Sequence, residues 1–265
     1  MSEFSHVFAL CAYKESPYLE ECIRSLKGQT TEANILIATS TPNAYLKNMA
    51  EKFDIPLYVS GRESGIGRDW NFALSCAQAD FVTIAHQDDV YLPEYLEKLA
   101  AYNDKAKNPI LFFTDYGELR GNKTVYENQL LHVKRRINAF LKPRAFWGSR
   151  FMRNRTLSVG SAICCPSVCI NKKAFPDFRF SETMSCDLDW DAWSRLAKKK
   201  GSFVYLPEPL MLHRIHEGSE TTNQLEGGKR FAEDYEMFRR YWPSPIAKML
   251  MRRYVKGAQS NEIEK

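Results

Sequence analysis

Nothing in this sequence is long, apolar and uncharged enough to cross a bilayer. The longest stretch without a charge, Thr156 to Asn171, has 16 residues and contains Gly160, Pro166 and four hydroxyl side chains. A membrane helix needs roughly 20 predominantly apolar residues, so this stretch reads as a buried strand with its flanking loops. The amino terminus, MSEFSHVFAL, carries an acid, lacks a basic n-region and runs straight into an apolar segment, which argues against a secretory leader. Glycine is sparse, 13 of 265 residues. The one glycine-rich segment, Gly61 to Gly67, has neither the G-x-G-x-x-G nor the G-x-x-x-x-G-K-[ST] spacing, which removes support for a dinucleotide site or a P-loop. The seven cysteines (Cys11, Cys22, Cys76, Cys164, Cys165, Cys169 and Cys186) are odd in number and lack paired C-x-x-C spacing. A disulfide framework and a zinc site are both disfavoured. The expectation is a cytoplasmic protein with reduced core thiols, for which the inner face of the plasma membrane is within reach.

What is present describes a soluble globular chain, 44% hydrophobic and 26% charged, with a net charge of only +5. That figure sums unlike parts. Residues 132 to 155 hold eight Lys and Arg and no acid, and residues 229 to 256 hold eight basic and three acidic residues, so the remainder carries −8. In the first basic stretch Leu130, Ile137, Phe140 and Leu141 fall near helical spacing. Ile246, Met249, Leu250 and Tyr254 do the same in the tail. Basic amphipathic helices suit an anionic membrane face or a pyrophosphate-linked lipid acceptor. Helices packed on the core with a solvated basic face are the alternative. No RNA-recognition motif is visible.

The first 120 residues alternate between short β-branched or aromatic runs and helical patterns, as in a parallel α/β sheet. Strands are predicted at Val7 to Ala12, Asn34 to Thr39, Leu57 to Ser60, Phe81 to Ala85 and Ile110 to Thr114. Ser16-Pro17, Thr41-Pro42 and Pro93 mark helix starts, and Gly28 a stop. The second half reads as a hairpin at Gly121-Asn122, a basic segment, a buried run at 162 to 170 and a helix over about 189 to 200. A strand from Phe203 to Leu206, the segment Leu210 to His216 and a helical tail broken at Trp242-Pro243-Ser244-Pro245 follow. Two units are expected, 1–222 and a helical basic extension at 223–265.

Ligands of open α/β sheets bind at the carboxyl ends of strands. The strand ending at Ala85 leads into His86-Gln87-Asp88-Asp89, where adjacent carboxylates repel unless a divalent cation or solvent relieves them. A helix cap is the plain alternative. Arg68 opens a predicted helix, where a guanidinium and free backbone N–H groups suit a diphosphate. Asp187, Asp189 and Asp191 alternate into a helix, more acids than capping requires. A desolvated carboxylate beside Trp190 suits a general base.

Taken in order, these segments resemble the inverting family 2 glycosyltransferases of GT-A fold over residues 5 to 222. Ala9 to Glu15 with Leu19, Cys22, Ser25, Leu26 and Gln29-Thr30 is similar to that family's first strand and helix. Gly65, Arg68 and Asn71 match a further segment, His86 to Asp89 its D-x-D-D motif, Asp189 to Leu196 its [ED]-D-x-D-x-W-x-R-L helix, and Arg214-Ile215-His216 its R-x-H ending. The resemblance implies a Rossmann-like doubly wound α/β sheet and transfer of a sugar from a nucleoside-diphosphate donor to a hydroxyl acceptor. It further implies nucleotide contacts from Ala12, Tyr13, Glu15, Arg68 and Asp88, and Mg²⁺ or Mn²⁺ held by Asp88 with Asp89 and His216. Substrate contacts fall to Trp190 and Arg214, and a catalytic carboxylate to Asp189, with Asp191 or Asp187 as alternatives. The products implied are a cell-surface polysaccharide or lipid-linked glycan. Two departures bear on donor choice: His86 stands where the first Asp is usual, and the second strand ends Ala38-Thr39-Ser40-Thr41 without an acid. A non-catalytic sugar-nucleotide or glycan-binding protein on the same fold is the rival reading.

Overall fold

In the computed structural model, which describes residues 4–216 and 229–260, the strands form one mixed sheet. In chain order the elements are β1 (His6–Cys11), α1 (Leu19–Lys27), β2 (Asn34–Thr39), α2 (Ala44–Phe53), β3 (Leu57–Val59), α3 (Ile66–Cys76), β4 (Phe81–His86), β5 (Val90–Tyr91) and α4 (Tyr95–Asn103). There follow β6 (Pro109–Arg120), β7 (Lys123–Val125), α5 (Gln129–Asn138), α6 (Arg150–Leu157), β8 (Val168–Asn171), α7 (Leu188–Ala197), β9 (Ser202–Ile215), α8 (Lys229–Arg239) and α9 (Ser244–Ser260). The strand order is β3-β2-β1-β4-β8-β6-β9-β5, with β7 paired to β6.

Along β1 the side chains alternate between two buried layers. Val7 and Ala9 face a core shared with α3, α7 and α8, while Phe8 and Leu10 face one shared with α1, α2 and α4. Burial on both faces explains why the strand reads as a continuous apolar run. The doubly wound expectation holds for β1 to β4, which are mutually parallel. Past β4 the sheet departs from it, because β8 enters antiparallel between β4 and β6. The 162 to 170 run is thus a central strand with its approach. Gly121, at φ +54°, turns the β6–β7 hairpin with Arg120 opposite Lys123. The predicted strand at 203 and the 210 to 216 segment are one strand, β9, whose register against β6 shifts around Pro207 and Pro209.

The order in which strands are laid down reverses about β1, with β2 and β3 on one side and β4 on the other. The crevice at the carboxyl ends of β1 and β4 is therefore where a ligand site belongs.

Candidate active site

At the end of β4, His86, Asp88 and Asp89 bring one ligand atom each within 4.8 Å of one another. Asp89 is fully buried. Its Oδ1 accepts the Arg214 backbone N–H at 3.0 Å and lies 2.9 Å from His213 Nδ1. Among the described residues neither its Oδ2 nor His86 Nε2 has a hydrogen-bond partner. Burial lowers the His86 pKa despite the nearby carboxylates, so its imidazole is neutral and able to offer a lone pair. A buried carboxylate oxygen and a buried imidazole nitrogen without partners are costly, and one imidazole with two carboxylates is a donor set suited to Mn²⁺ or Mg²⁺. The residues therefore fit a divalent cation.

β9 supports this loop from beneath, because it pairs with β5 immediately after Asp89. Asp88 Oδ2 lies 3.0 Å from His216 Nε2, and the Asp88 carbonyl accepts Arg214 Nε at 2.8 Å. Arg214, expected to touch substrate, is instead nearly buried: it pairs with Glu21 and stacks over the Tyr18 ring at 4.4 Å. It positions the Asp88 loop. His86 itself stacks on Trp70 at 5.2 Å.

On the nucleotide side, the Gln87 side chain bridges the Tyr13 backbone, accepting from its N–H at 2.9 Å and donating to its carbonyl at 3.2 Å. This locks the β1 and β4 ends together and leaves the Tyr13 ring exposed beside the buried Ala12. Glu15 is also exposed. Lys14 adopts φ +54° with its N–H on Thr41 Oγ1, so the acid-free end of β2 shapes the same rim. Arg68 lies in the first turn of α3, donating to Ser64 O at 2.7 Å. A side chain at Gly67 would reach within 2.0 Å of the Ser181 carbonyl, which is why α3 can approach the segment leading into α7.

α7 carries the three carboxylates into different surroundings. Asp191 is buried with both oxygens engaged, Oδ2 by Arg195 at 2.8 Å and Oδ1 by Arg240 at 2.6 Å. With both oxygens held by guanidiniums, Asp191 ties α7 to the end of α8, an arrangement that does not suit a general base. Trp190, expected to contact substrate, is fully buried, donates to Leu157 O and packs against Phe238, so its ring and its N–H are both committed to the interior. Asp189 alone is partly exposed, accepting the Trp190 N–H at 2.7 Å. Burial raises its pKa, partly offset by that hydrogen bond and by Lys134 and Arg230. Burial, with smaller contributions from Asp89 and Asp189, pushes the Cys164 and Cys165 thiols up.

The sequence profile of glycosyl transferase family 2 matches residues 8–175. The chain is a family 2 glycosyltransferase. Among similar sequences, the amylovoran biosynthesis glycosyltransferase AmsE of Erwinia amylovora is 23% identical over 248 residues, covering 89% of this chain and 84% of AmsE. Among solved structures, S. aureus TarS 1-349 in complex with UDP-GlcNAc superposes with a TM-score of 0.66 at 17% identity, covering 94% of this chain and 71% of that one. The Pyrobaculum calidifontis mannosyltransferase PcManGT, solved with GDP-Man and Mn²⁺, gives 0.65 at 12% identity, covering 94% and 69%. These likenesses show the GT-A fold. Among the described residues, no helix of this glycosyltransferase is long and apolar enough to cross a membrane.

Several residues of the site carry little signal in the sequence. In the sequence His213 is merely a histidine three residues before His216, and Lys134 one cation of a basic run. Lys134 donates to Tyr116 Oη at 2.8 Å, Tyr116 packs edge-on to His213, and no carboxylate among the described residues pairs with the ammonium. The tail was expected as an appendage, yet its Met237, Phe238 and Ala247 are fully buried in the core. Glu233 of α8 accepts the N–H groups of Ser185, Cys186 and Asp187 at 2.8 to 3.1 Å, placing an anion at the positive end of α7. Arg153, buried, donates to Lys199 O and Gly201 O at the other end. The helix bearing Asp189 is held by complementary charge at both termini.

Behind it, Asp187 and Asp234 form a buried carboxyl pair whose Asp187 Oδ2 and Asp234 Oδ1 find no donor. Burial raises both pKa values; Asp234 adds to the rise at Asp187, while Arg230 and the hydrogen bond with Asp187 partly offset it at Asp234, so the pair retains a proton. A raised carboxyl pKa means the folded state binds more protons than the unfolded chain. The associated stability is complete below the unfolded carboxylate range and is lost as pH rises through the raised values. Asp234→Asn, which can donate to Asp187, should therefore raise Tm at alkaline pH by a few degrees, roughly 1–2 kcal/mol, and not at pH 4. Calorimetric melts across pH check this; an equal shift at both extremes counts against the shared proton.

Proposed function

We propose that this glycosyltransferase is an inverting, divalent-metal-dependent enzyme of the hexosyltransferase class. It moves a sugar from a nucleoside-diphosphate donor to a hydroxyl of a growing cell-surface polysaccharide or lipid-linked glycan. The observation that carries this reading is the His86, Asp88 and Asp89 cluster at the end of β4, whose buried, unpartnered oxygen and nitrogen suit a divalent cation; Asp189, partly exposed at the start of α7, is the carboxylate assigned to the acceptor. One base, with the nucleoside diphosphate as leaving group, suits a single displacement. The donors in the TarS and PcManGT complexes, UDP-GlcNAc and GDP-Man, support a nucleotide-sugar donor for this chain too.

In this mechanism Tyr13, Glu15 and Arg68 bind the nucleotide at the ends of β1 and α3. His86, Asp88 and Asp89 would hold the cation, with His216 orienting Asp88. When bound, the cation supplies Lewis acidity to the diphosphate and neutralises charge on the departing group. Asp189 takes the proton of the acceptor hydroxyl as that oxygen attacks the anomeric carbon from the face opposite the diphosphate. The new C–O bond forms while the anomeric C–O–P bond breaks, and the electron pair leaves with the nucleoside diphosphate. The helix termini held by Glu233 and Arg153 keep that carboxylate in line.

The test is release of nucleoside diphosphate from a panel of UDP- and GDP-sugars with Mn²⁺. Donor-dependent release supports the enzyme. Tight donor binding without any release, across acceptor alcohols, would instead favour a sugar-nucleotide-binding protein, the reading to which His86 in place of Asp gives weight.

A further inference from the structure

The eight cations of residues 132 to 155 separate into two groups. Three turn inward: Lys134 to Tyr116, Arg135 to the Asp115 carboxylate, and buried Arg153 to backbone carbonyls at the end of α7. The other five, Arg136, Lys142, Arg144, Arg150 and Arg155, are exposed, and none forms an ion pair with a described residue. Interleaved with them stand Phe140, Phe146 and Phe151, all exposed, Phe151 to 73%. A phenylalanine that open to water on a helix of eight residues contributes nothing to the fold. Two 3-10 turns, Ala139–Leu141 and Arg144–Phe146, followed by α6, place the three rings on three separate turns.

We propose that this face, running from the end of α5 through α6, docks the enzyme on an anionic lipid bilayer, the cations meeting headgroup phosphates and the phenylalanines entering the interface. Charge complementarity selects the occupant: five exposed cations without an ion pair among the described residues, one of them, Arg155, lying over the Trp242 ring, and no acid within residues 132 to 155 suit a dense anionic surface. Three apolar rings without a groove between them suit a lipid interface better than successive bases of a nucleic acid. Tethering needs no spanning helix. The same α5 sends Lys134 inward to Tyr116, which packs against His213, the partner of Asp89, so docking by its outer face holds the cleft near a membrane-borne alcohol. That consequence rests on the reading of the cleft given above, whereas docking itself does not.

The full chain is tested by co-sedimentation with phosphatidylcholine vesicles containing or lacking phosphatidylglycerol, and by its affinity for poly-uridine RNA. Binding should require the anionic lipid and weaken as salt shortens the screening length. Arg144→Gln with Arg150→Gln should lower partitioning roughly 25-fold at low salt, about fivefold per charge, and Phe151→Ser about tenfold. Lys27→Gln with Lys47→Gln, which removes equal charge elsewhere, should leave binding unchanged. Melting curves confirm that these surface variants fold. Salt-insensitive binding, equal loss in the Lys27 and Lys47 control, absence of vesicle binding, or poly-uridine binding stronger than vesicle binding each overturns the proposal. Nucleoside-diphosphate release is measured on the same samples: loss of docking with release intact refutes only the membrane face, and loss of release with docking intact refutes only the catalytic reading.

Discussion

Asp189→Asn should lower the transfer rate by about 10²- to 10⁴-fold, the contribution expected of a positioned general base, while donor binding in Mn²⁺ stays within a few-fold of wild type. The substitution is close to isosteric, and asparagine keeps the acceptor oxygen that meets the Trp190 N–H. It also neutralises a carboxylate whose raised pKa shows that its charge is disfavoured where it sits, so stability should hold or rise slightly. Asp191→Asn is the informative contrast. It strips charge from a carboxylate gripped by Arg195 and Arg240, and should cost about 1–3 kcal/mol of stability with the rate per folded molecule nearly unchanged. A second arm uses pH. Transfer requires ionised Asp189, so activity should fall on the acidic side through its raised pKa. Lys134 favours the ionised form; Lys134→Met should therefore move that acidic limb to higher pH, a shift that a merely structural lysine would not produce. Single-turnover rates against pH read both arms. Unaltered turnover in Asp189→Asn would remove the base assignment.

The parts of this molecule that were legible in the sequence are those written in local pattern. β2 was placed to the residue, and α1 was recognisable from Leu19, Cys22, Ile23 and Leu26, all fully buried on one face. The acidic segment after β4 was visible because paired carboxylates at a strand end ask for an explanation. What sequence could not supply was partner assignment across distance. Asp191 and Asp189 are two residues apart and look alike as letters. Only Arg240, 49 residues away, distinguishes the satisfied one from the free one. The resemblance implied a substrate contact for Trp190, but Phe238 and Leu157 claim its ring and its N–H. The antiparallel insertion of β8 was hidden for a similar reason: a short apolar run states that a strand is buried and is silent on its direction. The basic run illustrates the same limit, since three of its eight cations serve the interior and only their partners reveal which.

Removal of divalent metal should abolish transfer, with Mn²⁺ or Mg²⁺ restoring it, and Mn²⁺ should raise Tm in a concentration-dependent way because it binds the folded state alone. The argument begins from Asp89. One of its oxygens is committed to β9 through Arg214 and His213, the other is buried without a donor, and the unpartnered His86 nitrogen lies in the same cluster. A fold would not retain such a group in the core without a compensating positive charge in its working state. The two aspartates should then fail differently. Asp88 is partly exposed and touches the rest of the chain through His216, so Asp88→Asn should weaken Mn²⁺ binding by roughly a hundredfold, the scale of losing an important ligand interaction, with Tm in the absence of metal little changed. Asp89→Ala also releases β9 from the β4 end and leaves His213 without its carboxylate, so it should lower metal-free Tm as well, by roughly 2–4 kcal/mol of stability. Isothermal titration with Mn²⁺ alongside metal-free melts separates the two. If chelated enzyme keeps its full rate and Mn²⁺ leaves the melt unmoved, the cluster is a structural hydrogen-bond network, and the charge on the leaving diphosphate must be met by Arg68 and Lys134 instead.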